Sequence, residues 1–163
     1  MDTLAAQVGV ALQAHGMMLV TAESCTGGGV AQAVTDIAGS SAWFERGFVT
    51  YTNLSKAEML GVRQSTLDDY GAVSEMAVRE MVAGALAHSH AHIAVAVSGI
   101  AGPGGGTPEK PVGTVWFAWG VRGGEEQASR HLLAGDRATV RSKSVEIALQ
   151  GVLSLLKEQA KTA

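Results

Sequence analysis

Three side chains that can act as nucleophiles follow segments with the character of buried strands. Ser24 and Cys25 come shortly after the apolar run 17–20, and Ser98 directly follows the continuous apolar run 93–97. Open α/β sheets bind their ligands at the carboxyl ends of their strands. These positions are therefore where we expect nucleophilic chemistry.

A turn of small residues leads from the first of these strands toward a helix. Thr26, Gly27, Gly28 and Gly29 precede apolar residues with helical spacing between 30 and 37. The first backbone N–H groups of a helix lack partners within it and can hold an anion or an oxyanion, and glycine allows close approach at positive φ. A plain helix with Thr26 as its N-cap explains the same residues, and the turn alone does not separate the two readings.

Lys56 is the best-placed candidate for the base that a serine nucleophile needs, because no histidine is an obvious partner. A lysine can take a proton from an alcohol if burial lowers its pKa toward neutrality. Lys56 is the only lysine before residue 110, and it lies early in a predicted helix, 54–60, where a cation opposes the helix dipole. A second assignment stays open: Glu23, Cys25 and Lys56 match the Glu, Cys and Lys of nitrilase-type amidases.

The segment 98–111 is too rich in Gly and Pro to form a helix or a strand. It lacks the Gly-Lys-Ser/Thr that closes a Walker loop, and it does not continue into a helix as a dinucleotide fingerprint requires. Its backbone N–H groups, together with Arg137 or Arg141 at the start of a helix, could still hold one phosphate monoester. A solvated lid and two surface arginines explain the same pattern.

The histidines at 88, 90 and 92 resemble a metal cluster only at first sight. On a helix His90 would point away from the other two, and on a strand no carboxylate lies nearby. Histidines at the end of a helix commonly stabilise its dipole at the surface. We therefore predict no metal site.

The order of the predicted elements is helix, strand, helix, strand, helices, strand, strand, strand and helix. Asn53 is predicted to cap the helix 54–60, and Asp136 to begin the last helix. This order predicts a single three-layer α/β/α domain over residues 1–163, with a mixed sheet covered on both faces. The predicted strands are 17–20, 43–51, 93–97, 112–121 and 126–133.

Composition excludes several classes of protein. The 12 basic and 15 acidic residues give a net charge of −3 without a basic cluster, so we expect no nucleic-acid partner. Cys25 is the only cysteine, which excludes an intrachain disulfide. We find neither a signal-peptide pattern nor an apolar run of about 18 residues, so we expect a cytoplasmic protein without a membrane segment.

Five collinear motifs resemble the CinA C-terminal domain family in its stand-alone form, over nearly the whole chain. They are TAESCTGG at 21–28, GSSAWFERGFVTY at 39–51 followed by Asn53 and Lys56, GAVSE at 71–75, VSGIAGPGGG at 97–106 and KPVGTVW at 110–116. The resemblance implies hydrolysis of the carboxamide of nicotinamide mononucleotide to nicotinate mononucleotide and ammonia, a salvage step of NAD metabolism, without a metal or cofactor. It also implies a homo-oligomer.

The family is regarded as a serine/lysine amidohydrolase, and the resemblance gives these roles to Ser24 and Lys56. Ser24 would attack the amide carbon, Lys56 would take its proton, and N–H groups between Cys25 and Gly28 would hold the oxyanion of a reaction that passes through an acyl-enzyme.

Other residues are candidates for holding the substrate. Tyr51 and Asn53 would position Lys56 or the substrate, although a core tyrosine and a simple N-cap explain them equally well. The ribose phosphate would be covered by the loop, with Arg137 or Arg141 as counter-charge; the loop residues expected there are Ser98, Gly99, Gly102, Gly104, Gly105 and Thr107. A non-catalytic nucleotide-binding module and an amidase for a related carboxamide stay open as alternatives.

Overall fold

A computed structural model describes residues 3–162 of the chain. Within these residues it contains six α-helices, five β-strands and a short 3-10 helix at Ser40–Ala42. The helices are α1 (Leu4–Ala14), α2 (Gly29–Thr35), α3 (Asn53–Leu60), α4 (Gln64–Tyr70), α5 (Glu75–Ala87) and α6 (Arg137–Thr162), and the strands are β1 (Leu19–Glu23), β2 (Phe44–Val49), β3 (Ile93–Gly99), β4 (Thr114–Val121) and β5 (Gln127–Leu132).

The five strands form one mixed sheet in the order β2-β1-β3-β4-β5. β1 pairs in parallel with β2 and β3, whereas β4 is antiparallel to β3 and β5. The predicted α/β class, the mixed sheet and the antiparallel hairpin are thus confirmed. Since β1 lies between two parallel neighbours, its carboxyl end is flanked by the ends of β2 and β3.

Helices cover both faces of the sheet. On one face α1, α2 and α6 pack together, and on the other α3 and α4 pack against α5. Successive residues of each strand face opposite sides of the sheet. Leu19, Val95, Val97 and Phe117 belong to the core cluster under α1, α2 and α6, and Val20, Ala22, Ala94, Ala96 and Ala118 belong to the cluster under α3, α4 and α5. This alternation fixes the face of the sheet to which each side chain near the strand ends belongs.

Several predicted boundaries differ from the structure by one to three residues, and two of these differences bear on the site. β1 runs from Leu19 to Glu23 and is buried along its whole length, so the apolar segment 17–20 marks only its beginning. α3 is capped by Thr52, whose hydroxyl accepts the Ser55 N–H in a reciprocal capping box, and not by Asn53, which is the first helical residue. The strand extends to Glu23 because N–H groups of α2 satisfy its buried carboxylate, and the cap moves to Thr52 because its hydroxyl has a partner in the first turn of α3.

The position of α3 depends on a glycine in α5. A Cβ atom at Gly84 would collide with the backbone carbonyl of Leu60, the last residue of α3. The two helices therefore approach each other more closely than any side chain at position 84 would permit.

Along residues 3–162, none of the helices combines the length and the apolar character needed to cross a membrane.

Candidate active site

Ser24 lies immediately after β1, in the row where three parallel strands end. Its backbone N–H donates to Val97 O of β3 at 3.0 Å, and Thr50 N–H at the end of β2 donates to Glu23 O at 2.8 Å. The sheet thus holds the residue on both sides. Ser24 is 7% exposed, which leaves its hydroxyl at the floor of a cavity rather than on the surface.

Lys56 reaches this serine from α3. Its Nζ lies 2.9 Å from Ser24 Oγ and 2.9 Å from the backbone carbonyl oxygen of Thr50. The side chain is 1% exposed, and no carboxylate forms an ion pair with it within the described part of the chain. Burial without a counter-ion destabilises the charged form of a lysine relative to its neutral form.

Burial lowers the pKa of Lys56 from 10.5 to about 8, and the neighbouring Cys25 opposes this shift. Burial also raises the pKa of the Cys25 thiol to about 11, with Glu23 adding to the rise. Near neutral pH, Lys56 therefore has an accessible neutral form, whereas Cys25 remains a protonated thiol. The lowered pKa of Lys56 and the raised pKa of Cys25 both favour the serine over the cysteine as the activated nucleophile.

Glu23 has a structural task on the opposite face of the sheet. Its buried carboxylate accepts the Thr26 hydroxyl at 2.6 Å, the Val30 N–H at 2.8 Å and the Ala31 N–H at 3.0 Å. It therefore satisfies the first N–H groups of α2 and anchors the turn after Ser24. With its oxygens committed in this way, Glu23 is poorly suited to be the general base of a Glu-Cys-Lys triad.

The turn between Ser24 and α2 offers a small number of backbone donors. Gly28, with φ of 99°, stands at the N-cap of α2 without a side-chain cap, so Thr26 is not the N-cap. Gly27 N–H donates to Ser24 O, and Gly29 N–H donates to Thr26 O. Within the described residues the N–H groups of Cys25, Thr26 and Gly28 have no backbone acceptor, whereas Gly27 is already engaged.

A cavity of about 270 Å³ opens above Ser24. The glycine-rich loop after β3, Tyr51 and Arg137 all contribute to its lining. Its lining residues are Ser24, Cys25, Tyr51, Gly99, Ile100, Ala101, Gly102, Gly104, Gly105 and Arg137. The serine at the end of β1, the glycine loop and one of the two candidate arginines thus line the same cavity.

Arg137 connects the glycine-rich loop with Tyr51. Its Nη1 donates to Gly102 O at 2.8 Å, and its Nη2 donates to the Tyr51 hydroxyl at 2.9 Å. Tyr51 is 57% exposed, so it is not a core tyrosine. A cation placed between a glycine loop and a phenol suits recognition of an anionic group at the cavity mouth.

Arg141, one helical turn further on, does not line this cavity. Its Nε donates to Cys25 O at 3.1 Å and its Nη2 to Thr26 O at 3.3 Å. It thus supports the turn through carbonyl groups and faces a separate cavity next to α2.

Three predicted substrate-binding residues are absent from the cavity lining. Asn53 is exposed at the start of α3, Ser98 is 1% exposed within β3, and Thr107 closes a turn with Lys110 by two hydrogen bonds. Sequence reasoning in turn missed the carbonyl of Thr50 and the anchoring role of Glu23. Each of these residues is polar and lies at or just after the end of a strand, Glu23 in β1 and Thr50 after β2, and this was the sequence signal that could have identified them.

The histidine segment engages the backbone. His88 Nδ1 donates to Gly84 O at 2.8 Å, and His92 Nδ1 accepts the Met18 N–H at 3.0 Å. Over residues 3–162 no group of three or more His, Cys, Asp or Glu side chains is arranged to hold a metal ion.

Comparison with known proteins agrees with this architecture. The family model described as "CinA C-terminal domain" matches residues 1–156. The chain is 59% identical over 147 residues to the Escherichia coli K12 protein named nicotinamide-nucleotide amidohydrolase PncC, covering 90% of this chain and 89% of that protein. A Pseudomonas putida protein of the same name is 52% identical over 153 residues, covering 94% and 95%.

A solved structure extends the likeness to the fold. The crystal structure of the competence/damage inducible protein CihA from Agrobacterium tumefaciens superposes with a TM-score of 0.91 at 48% identity, covering 93% of each chain. The resemblance of the five sequence motifs is confirmed by these matches, and the chain belongs to the CinA C-terminal domain family.

Proposed function

We propose that this protein hydrolyses the carboxamide of nicotinamide mononucleotide to nicotinate mononucleotide and ammonia. The observation that carries the proposal is the 2.9 Å contact between Ser24 Oγ and the buried Lys56 Nζ at the floor of the cavity. The names of the relatives from Escherichia coli and Pseudomonas putida, nicotinamide-nucleotide amidohydrolases, support the reaction class and the substrate.

In the first step Ser24 Oγ attacks the amide carbon while neutral Lys56 accepts the hydroxyl proton. With a pKa of about 8, roughly a quarter of the lysine is neutral near pH 7.5. The burial that lowers the pKa thus supplies the base without any histidine.

The tetrahedral intermediate carries its negative charge on the former carbonyl oxygen. The N–H groups of Cys25, Thr26 and Gly28 are the available donors in the turn next to Ser24. Donors that are fixed before the reaction stabilise this charge without reorganising. Glu23 and Arg141 hold the turn from either side and so keep these donors in place.

Collapse of the intermediate breaks the C–N bond. The Lys56 ammonium returns its proton to the departing nitrogen, so ammonia leaves and the carbonyl carbon stays as an ester on Ser24 Oγ. Lys56, neutral again, takes a proton from water as the water attacks this ester. As the second tetrahedral intermediate collapses, the bond between the carbon and Ser24 Oγ breaks and the Lys56 ammonium returns this proton to Ser24 Oγ. The products are nicotinate mononucleotide and free Ser24, with Lys56 neutral again.

We assign the substrate phosphate to the part of the cavity that Arg137 lines. Arg137 is the cation in the lining, and the loop glycines allow backbone N–H groups to approach an anion closely. In the proposed arrangement Asn53, Ser98 and Thr107 do not contact the substrate.

The nucleophile is tested by replacing Ser24 and Cys25 separately with Ala and measuring ammonia release from nicotinamide mononucleotide, its riboside and free nicotinamide. The Ser24→Ala variant is expected to lose at least about a thousandfold in kcat, and the Cys25→Ala variant to keep most of its activity. The mononucleotide is expected to be the best of the three substrates.

Each alternative has its own result in this assay. An inactive Cys25→Ala variant beside an active Ser24→Ala variant would establish a cysteine enzyme. Tight binding of the mononucleotide by the wild-type protein without any ammonia release would establish a non-catalytic nucleotide-binding module.

A further inference from the structure

Two buried hydroxyl groups lack a hydrogen-bond partner within the described residues, Thr21 Oγ1 in β1 and Thr50 Oγ1 at the end of β2. Both residues are 0% exposed. A buried hydroxyl without a partner destabilises the fold, and such groups are rare in native proteins. A residue that keeps an unpaired hydroxyl therefore invites a functional explanation.

The two threonines lie on opposite faces of the sheet. Thr21 shares the face of Leu19, which packs under α1, α2 and α6. Thr50 shares the face of Phe48, which packs against the cluster under α3, α4 and α5. Only Thr50 is therefore on the side from which Lys56 approaches.

Thr50 is also next to Ser24 in the sheet. The last register pair joins Glu23 to Val49, and the Thr50 N–H donates to Glu23 O one step further. Its own carbonyl oxygen accepts Lys56 Nζ at 2.9 Å. The unpaired hydroxyl thus belongs to the residue whose backbone already holds the amine.

The hydrogen-bonding needs of Lys56 change during the proposed reaction. In the resting site its Nζ contacts Ser24 Oγ and Thr50 O. An ammonium has three donors, and in the tetrahedral intermediate Ser24 Oγ is bonded to the former carbonyl carbon, which makes it a weaker acceptor. At that stage the charged amine needs a further acceptor.

We propose that Thr50 is a positioning residue whose hydroxyl accepts an N–H of the Lys56 ammonium when Ser24 Oγ is engaged with the substrate. This inference rests on the proposed function. It also accounts for the unpaired hydroxyl, since Lys56 Nζ uses Ser24 Oγ and Thr50 O in the resting site and turns to the Thr50 hydroxyl only during turnover.

Few other charges act on Lys56. Cys25, in the turn, is the titratable group whose charge influences it. On α5, against which α3 packs, Glu75 pairs with Arg79 and Glu80 pairs with Arg63. Glu58 on α3 itself is exposed. A change in the pKa of Lys56 on altering Thr50 is therefore attributable to the Thr50 hydroxyl.

The test compares Thr50→Val with Thr50→Ser and with the matched control Thr21→Val. We expect Thr50→Val to lower kcat about tenfold, the effect of one hydrogen bond to a charged group, and to leave KM unchanged because Thr50 does not line the cavity. The acid limb of the kcat profile should move to lower pH because the ammonium is less stabilised. Thr50→Ser should restore both quantities.

Stability separates this role from a structural one. Both valine variants remove an unpaired buried hydroxyl, so both should unfold at or above the wild-type temperature. Thr21→Val should keep the wild-type kcat and pH profile. A wild-type kcat and acid limb in Thr50→Val, or an equal loss in Thr21→Val, would overturn the inference.

A second measurement does not depend on turnover. Ser24→Ala removes the serine acceptor altogether, so the Lys56 ammonium should then use the Thr50 hydroxyl. The pKa of Lys56, followed by NMR of the lysine side chains, should be lower by roughly one unit in Ser24→Ala/Thr50→Val than in Ser24→Ala. Equal values would reject the role of Thr50, whereas a wild-type enzyme that releases no ammonia would reject the proposed function alone.

Discussion

Replacing Lys56 with Met tests whether the site holds a charged amine at the expense of stability. The folded protein lowers the pKa of this lysine from 10.5 to about 8 because the side chain is buried. Folding therefore disfavours the ammonium form. The penalty is fully present below about pH 8 and disappears as the pH rises toward 10.5, since the unfolded chain binds more protons throughout that window.

The difference between the two pKa values lowers the free energy of unfolding by about 3 kcal/mol near pH 7 and by about 1 kcal/mol near pH 9.5. The wild-type free energy of unfolding should therefore gain about 2 kcal/mol from this residue between those pH values. Methionine fills most of the same volume without a charge, although it leaves the Ser24 hydroxyl and Thr50 carbonyl unpaired at a cost of about 1–2 kcal/mol. The variant should thus be more stable than the wild type near pH 7 by about 1–2 kcal/mol, and inactive.

Urea denaturation of both proteins across this pH range measures the effect. Cys25 also titrates in the alkaline range, but its contribution largely cancels when the two curves are subtracted. Lys143→Met is the matched control, because Lys143 is exposed and donates to Ala134 O at the surface. Parallel stability curves for wild type and Lys56→Met would refute the reasoning, since they would mean that the folded site does not disfavour the ammonium.

Two further substitutions examine the turn and the cavity mouth. Glu23→Gln should lower the free energy of unfolding by about 1–3 kcal/mol and reduce kcat. The reason is that the amide cannot accept from all three donors around Glu23. An unchanged urea midpoint and kcat would contradict this prediction. Arg137→Met should raise KM for nicotinamide mononucleotide about tenfold or more with little effect on the riboside. Arg141→Met, its control, should lower turnover of both substrates alike, and equal phenotypes for the two arginine variants would contradict the assignment.

Local periodicity predicted the order of the elements because the apolar faces of these helices and strands are regular. The mixed sheet followed from one continuous apolar run and one hairpin. Ser24 and Lys56 were found as candidates from their type and position. Their distance could not be read from spacing, since the sheet and α3 bring together residues 32 positions apart.

Other features depend on three-dimensional contacts that leave little local trace. The role of Glu23 is set by N–H groups of a helix that begins six residues later. Arg137 and Arg141 lie one turn apart on α6, so their spacing along the helix could not decide which of them would bind a phosphate. Only the packing of α6 beside the turn shows that one faces the cavity and the other supports the backbone behind it.

The contact between Gly84 and the carbonyl of Leu60 carries a consequence for the amine. α3 delivers Lys56, and its separation from α5 is set by the missing side chain at position 84. A residue without a side chain thereby helps to set the distance between Lys56 Nζ and Ser24 Oγ. The spacing of α3 and α5, on the face of the sheet from which Lys56 approaches, therefore helps to place the amine, and any expansion there would be transmitted to Lys56 Nζ.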